Sequence, residues 1–135
     1  QPLVRFRTGD IITINATEPC QCGCTGFRFR VVGRSDDMIV VRGLNMFPTM
    51  VAAVVTSFAD LTGDYRIVLD RPPPFDDLPV HAELAPGVEA SARLTGDIEK
   101  AFKQVLGVTA RLSLLPAGAF DVTEGKTRRV IRSYP

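Results

Sequence analysis

The chain has 135 residues, 45% of them hydrophobic and 23% charged, enough apolar material for folding to remove roughly two-thirds of the unfolded surface from water, which argues against intrinsic disorder. Sixteen basic residues against fifteen acidic leave a formal net charge of +1, which argues against a general nucleic-acid or anionic-membrane binder. No apolar run nears the roughly 18 residues of a membrane span and no leader pattern is evident, so the expectation is a cytoplasmic protein of one domain, or one domain plus a short appendage. The sequence opens at Gln1 in strand-like sequence without an initiator methionine, as a piece of a larger polypeptide would.

In chain order, Leu3 to Arg7 and Ile11 to Ile14 are short apolar-rich runs on either side of the turn-forming Thr8-Gly9-Asp10, which predicts a hairpin. Cys20, Cys22 and Cys24 crowd into a Gly-containing stretch that suits no regular element. An odd count at such close spacing points to free thiols or metal ligands rather than a disulfide framework. Phe27 to Val32 resumes alternation, with Phe27, Phe29 and Val31 on one face of a predicted strand. The polar stretch Gly33 to Asp37 interrupts it and reads as a hinge, after which Met38 to Val41 is a short strand ending at Arg42-Gly43.

Pro48 suits the first turn of a helix, and a helix is predicted over Met50 to Phe58, although its valines fit a strand almost as well. Tyr65 to Leu69 is a strand. The proline triplet of the Arg71 to Asp77 segment makes a stiff connection to a strand over Leu78 to Leu84. Leu94, Ile98, Ala101, Phe102 and Val105 then recur at helical spacing up to Gly107, a natural C-terminal cap, with Gly96 weakening the first turn. Arg111 to Leu115 is the last predicted strand, followed by a loop over Pro116 to Gly125 and a basic tail. From Met38 onward the order is strand, helix, strand, strand, helix, strand, the ferredoxin-like pattern of an α+β domain.

Three short motifs carry chemistry. Thr8-Gly9-Asp10 places a carboxylate on a tight turn, where it could accept hydrogen bonds from ribose hydroxyls, although the same tripeptide recurs at Thr62 and Thr95 with structural roles. The second is Gly33-Arg34-Ser35-Asp36-Asp37-Met38-Ile39 with Arg42-Gly43-Leu44-Asn45-Met46-Phe47-Pro48, and the third is Glu124-Gly125-Lys126-Thr127-Arg128-Arg129. Each alone could be a solvated turn or tail. Together and in this order they resemble the C-terminal portion of the adenylate-forming acyl-CoA synthetase superfamily, and most closely the phenylacetate-CoA ligase family, over essentially the whole chain.

That resemblance implies a fold, a reaction and roles. Residues 1–35 would be the β-rich end of a large adenylate-binding domain, and residues 36–135 a mobile ferredoxin-like lid. Asp10 and Arg34 match nucleotide-binding residues and Asp36 the hinge. Lys126 matches the catalytic lysine of acid activation, and Arg42, Gly43 and Asn45 match the lining of the coenzyme A passage. ATP with Mg2+, coenzyme A, a small aryl acid and the large N-terminal domain of the same polypeptide would be the cofactors and partners, and this piece alone would be inactive. The family's cysteine phrase follows Cys-Gly with arginine, whereas here Cys24 and Gly26 intervene. Cys20 and Cys22 could supply two thiolates to a structural Zn2+ completed elsewhere in the full-length protein. Strand edges within residues 1–32, cut from a parent domain, would invite pairing with a second copy.

Two alternatives stay open: an adenylating enzyme whose acyl acceptor is not coenzyme A, and a free-standing ferredoxin-like module that binds a small ligand or partner. His81 is the only histidine and has no evident Ser, Cys or carboxylate partner in sequence, so a hydrolytic triad is not expected.

Overall fold

The computed structural model describes residues 5–120 and 128–134. Two antiparallel strands, β1 (Asp10–Ala16) and β2 (Arg28–Arg34), form a ribbon. Asp10 stands opposite Arg34 at its open end, and the cysteine stretch closes the other end through reciprocal turn bonds between Cys20, Gly23 and Cys24. The expected partner of β1 was the run before Thr8. Among the described residues Arg5 to Gly9 carry no strand, and β1 pairs with the longer run beyond the cysteines instead.

After the ribbon come β3 (Ile39–Val41) and β4 (Leu44–Met46), a tight hairpin of their own. The Arg42-Gly43 pair, expected as a strand end, is its two-residue turn. Both residues take positive φ, 49° and 83°, the mirror-image turn geometry that matches strand twist and for which glycine at the second place is well suited. Helix α1 (Pro48–Val55) starts at the proline as expected and buries Val51, Val54 and Val55, so tertiary packing overrides the β preference of the valines.

The main sheet has the order β7-β6-β5-β8, built from β5 (Leu61–Leu69), β6 (Leu78–Leu84), β7 (Ala110–Leu115) and β8 (Val130–Arg132). β5 and β6 are antiparallel, while β7 runs parallel to β6 and β8 parallel to β5. The α+β class and the strand-helix order therefore hold. The opening strand of the expected pattern, however, stays outside this sheet. β3 is three residues long and turns straight back into β4; Ile39 and Val41 pack into the core, but its β-pairing with the rest of the described residues is limited to a bridge between Val41 and Phe75. The fourth strand of the sheet is instead β8, an edge strand parallel to β5, which lies in what the sequence suggested was only a basic tail.

Helix α2 (Ala92–Leu106) is framed by its caps: the Ser91 hydroxyl accepts from the Leu94 amide at 3.2 Å, and Gly107 closes the helix at φ 73°. Ile98 and Phe102 on its apolar stripe are completely buried. The two helices touch each other and cover one face of the sheet, against Tyr65, Ile67, Leu69, Leu78, Val80 and Ala82. The opposite face carries Arg66, His81, Arg111 and Ser113.

Candidate functional site

The end of the ribbon, the segment joining it to the domain, and Thr8 converge on Arg34. Its guanidinium donates to both carboxylate oxygens of Asp36, from Nε at 3.0 Å and from Nη2 at 3.1 Å. Nη1 donates to the Thr8 carbonyl at 3.0 Å and lies 3.6 Å from the Asp10 carboxylate. The turn supplying Thr8 and Asp10 is fastened at its corner: Ser35 donates its amide to the Gly9 carbonyl at 2.8 Å, and the Asp10 amide donates to Thr8 Oγ1 at 3.2 Å. Gly9 has φ 80°, and a Cβ there would sit 3.3 Å from Nη2 of Arg34, so both conformation and space call for glycine.

The fork of Arg34 on Asp36 has an electrostatic signature. The hydrogen bonds to Arg34, reinforced by its charge, hold the Asp36 carboxyl below its ordinary range, and Asp36 raises Arg34 in turn. Both side chains remain about half exposed, so the pairing orients rather than stabilises. Three residues singled out from sequence, Asp10, Arg34 and Asp36, are thus brought into one cluster. A fourth member is Arg132 of β8, whose Nη2 donates to the Asp36 carbonyl at 3.2 Å from 96 residues away. Nothing in the basic tail marked it out beforehand.

Arg42, Gly43 and Asn45 share the exposed β3–β4 hairpin, where a Cβ on Gly43 would meet nothing within 4 Å. Among the described residues no hydrogen bond or ion pair joins this hairpin to the Arg34 cluster. Lys126 lies outside the described residues. Its chain neighbours are well held: the Phe120 amide donates to Glu83 at 3.2 Å with the Arg66 guanidinium 4.5 Å above the Phe120 ring, and Arg129 pairs with Asp64 at 2.9 Å and covers the Tyr65 ring at 4.8 Å. Glu83, buried in a strand whose only other polar side chain is His81, was detectable in sequence as the one acid within Leu78 to Leu84.

The three cysteines are free; Cys20 is half-buried and the other two are exposed. Hydrogen bonds from the Cys22 amide and thiol and from Arg28 pull the Cys20 thiol below its ordinary range. Among the described residues no three metal-ligating side chains converge, so these residues do not make a zinc centre by themselves. No helix of the described residues is long and apolar enough to cross a membrane.

A strand-rich ribbon is thus joined to a helix-covered sheet through a segment in which Arg34 and Asp36 are paired. Residues 43–133 match the AMP-binding enzyme C-terminal domain, and the chain belongs to that family. It is 35% identical to a phenylacetate-coenzyme A ligase of Thermus thermophilus over 96% of its own length and 33% of the relative's; it spans about a third of the length of the curated relatives it matches. Among solved structures it resembles 2-hydroxyisobutyryl-CoA ligase bound to 2-HIB-AMP in the postadenylation state, at 30% identity and a TM-score of 0.77, covering 92% of this chain and 27% of that one. Against the same ligase with 2-HIB-AMP and CoA in the thioesterification state, at the same identity and coverage, the TM-score is 0.62.

Proposed function

We propose that this chain is the C-terminal part of an ATP-dependent, AMP-forming acid-CoA ligase of the phenylacetate type, with residues 1–35 ending the large nucleotide-binding domain and residues 36–135 forming its lid. The observation that carries this reading is the convergence of Asp10, Arg34 and Asp36 at the junction between the ribbon and the family-matched domain. A carboxylate accepts well from the two hydroxyls of a ribose, and Asp10 takes that role, with the neighbouring Arg34 holding the nucleotide side of the junction. Asp36 is the pivot.

In the first half-reaction an oxygen of the acid's carboxylate attacks the α-phosphorus of ATP, the bond to the bridging oxygen breaks, and pyrophosphate leaves. Two anionic groups must approach, and the ammonium of Lys126 offsets the charge that gathers in the transition state. The lid then turns about Asp36 and presents the β3–β4 hairpin. There Arg42 and Asn45 supply polar contacts and Gly43 admits the pantetheine arm closely. The thiol sulfur of coenzyme A attacks the acyl carbon of the mixed anhydride, and AMP departs. Mg2+ would accompany the phosphates of the nucleotide; no residue of this chain is assigned to it.

The test is AMP release by the full-length polypeptide with ATP, coenzyme A and a panel of small aryl acids, beside the Lys126→Ala variant. Removing one transition-state cation should slow adenylate formation about 10²–10³-fold while thioester formation from a supplied acyl-adenylate changes little. Adenylate formed without any response to coenzyme A would move the acceptor elsewhere. Absence of nucleotide turnover across the panel would favour a binding module.

A further inference from the structure

The ribbon and the lid touch directly at a second place, beyond the Asp36 pivot. Thr49 Oγ1, in the first turn of α1, donates to the Val32 carbonyl of β2 at 2.7 Å. One residue further along β2, Gly33 is buried against the ring of Phe47, the residue that precedes α1. A Cβ at position 33 would lie 2.6 Å from Cδ1 and 2.9 Å from Cγ of that ring. Gly33 does not adopt the positive φ of Gly9 or Gly43, so its backbone would accept alanine; only the space occupied by Phe47 forbids it. Val32 and Gly33 precede Asp36 in the chain while Phe47 and Thr49 follow it, and a rigid turn about Asp36 separates the two sets. With equal coverage and identity, the whole chain superposes better on the postadenylation state of 2-hydroxyisobutyryl-CoA ligase than on its thioesterification state.

We propose that Gly33, Phe47 and Thr49 form a latch that seats the lid on the ribbon in the acid-activating arrangement and is released when the lid turns toward thioester formation. They are positioning residues, and the inference rests on the ligase reading above. The latch is small by construction. One ring lies in a slot left by a missing side chain, and one hydrogen bond has its hydroxyl at the exposed surface, so solvent can replace that bond when the lid leaves. An extensive apolar interface would instead trap the lid in the first half-reaction.

The experiment measures the two half-reactions separately in the full-length polypeptide: pyrophosphate release with acid and ATP, and thioester formation from supplied acyl-adenylate and coenzyme A. Gly33→Ala should lower the first at least about tenfold, since an overpacked contact must be forced apart, and leave the second within about twofold. Adding Phe47→Ala to Gly33→Ala should return adenylate formation to the level of Phe47→Ala alone. Thr49→Val, at an exposed site where folding is not at stake, should lower adenylate formation about threefold, the scale of one modest hydrogen bond. Equal losses in both half-reactions, no rescue by Phe47→Ala, or an unchanged ratio of the half-reactions in Thr49→Val would each overturn the latch while leaving the ligase reading intact. A wild-type protein that forms no adenylate would overturn the ligase reading and the latch with it.

Discussion

The β1–β2 ribbon and the β5–β6 pair are both antiparallel and both carry alternating apolar side chains, yet those side chains meet opposite fates. Ile12, Ile14, Phe29 and Val31 share one face of the ribbon and are 40–55% exposed, whereas Ile67, Val80 and Ala82 on the inner face of the β5–β6 pair are fully buried. The difference lies in what covers them. β5 and β6 have α1 and α2 laid across them, connected in sequence and held by Ile98, Phe102 and the valines of α1. The ribbon face has no such layer among the described residues, and the ligase reading supplies one from the large domain. Alternation in a sequence therefore records which face is to be covered, while saying nothing of the covering element.

Substitutions can sharpen that contrast. Phe102→Ala, which opens a cavity under the sheet, should cost about 3–5 kcal/mol and lower the thermal midpoint by many degrees, as read by calorimetry. Next comes Tyr65→Phe, which removes the hydroxyl that donates to the Pro48 carbonyl at 2.5 Å and should cost about 1 kcal/mol in a denaturant titration. Ser91→Ala, at the exposed N-cap of α2, should cost a similar or slightly smaller amount, about 0.5–1 kcal/mol. Phe29→Ser on the ribbon should leave the stability of this chain within about 0.5 kcal/mol, and a loss comparable to that of Phe102→Ala would show that the ribbon face is covered after all.

The smallest effect concerns pH at the junction. Asp36 is held below its ordinary range in the folded protein, so whatever its pairing with Arg34 contributes is fully present above the unfolded value and is lost as pH falls through the folded one. A carboxyl-carbon NMR titration should accordingly place the Asp36 midpoint below the ordinary aspartate value of about 3.9, and Arg34→Gln should raise it toward that value, the backbone hydrogen bond and the charge of Arg132 still holding it down in part.

Much of the fold could be read from residues. β6 coincides with the predicted Leu78 to Leu84, and α2 was legible because its period and its Gly107 agree, whereas its N-cap, Ser91, emerged only from the structure. Two strands escaped for definite reasons. β4 lies in Leu44 to Met46, three residues whose pairing depends on the turn at Arg42-Gly43, and that pair looks like a strand end until both φ values are known to be positive. β8 is a three-residue strand that follows two arginines and ends in a third, and only the vacant edge of β5, a tertiary fact, recruits it. At the site, Asp10, Arg34 and Asp36 were legible as motif residues. Arg132 and Thr49 were not, because each matters only through a carbonyl that the fold brings to it from far along the chain.

The strand order β7-β6-β5-β8 also constrains when this sheet can be finished. During synthesis β5, β6, α2 and β7 can assemble as soon as they emerge, with β5 as a bare edge. Among the described residues the strand that closes this edge is the last in chain order, and it brings Arg132 to the Asp36 carbonyl in the same step. Sheet completion and fastening of the junction are thus one late event, paid for by closing a long chain loop. Until residues 130–132 arrive, β5 is open to strand addition by any extended segment nearby, which makes the nascent chain more vulnerable to mispairing than the finished one.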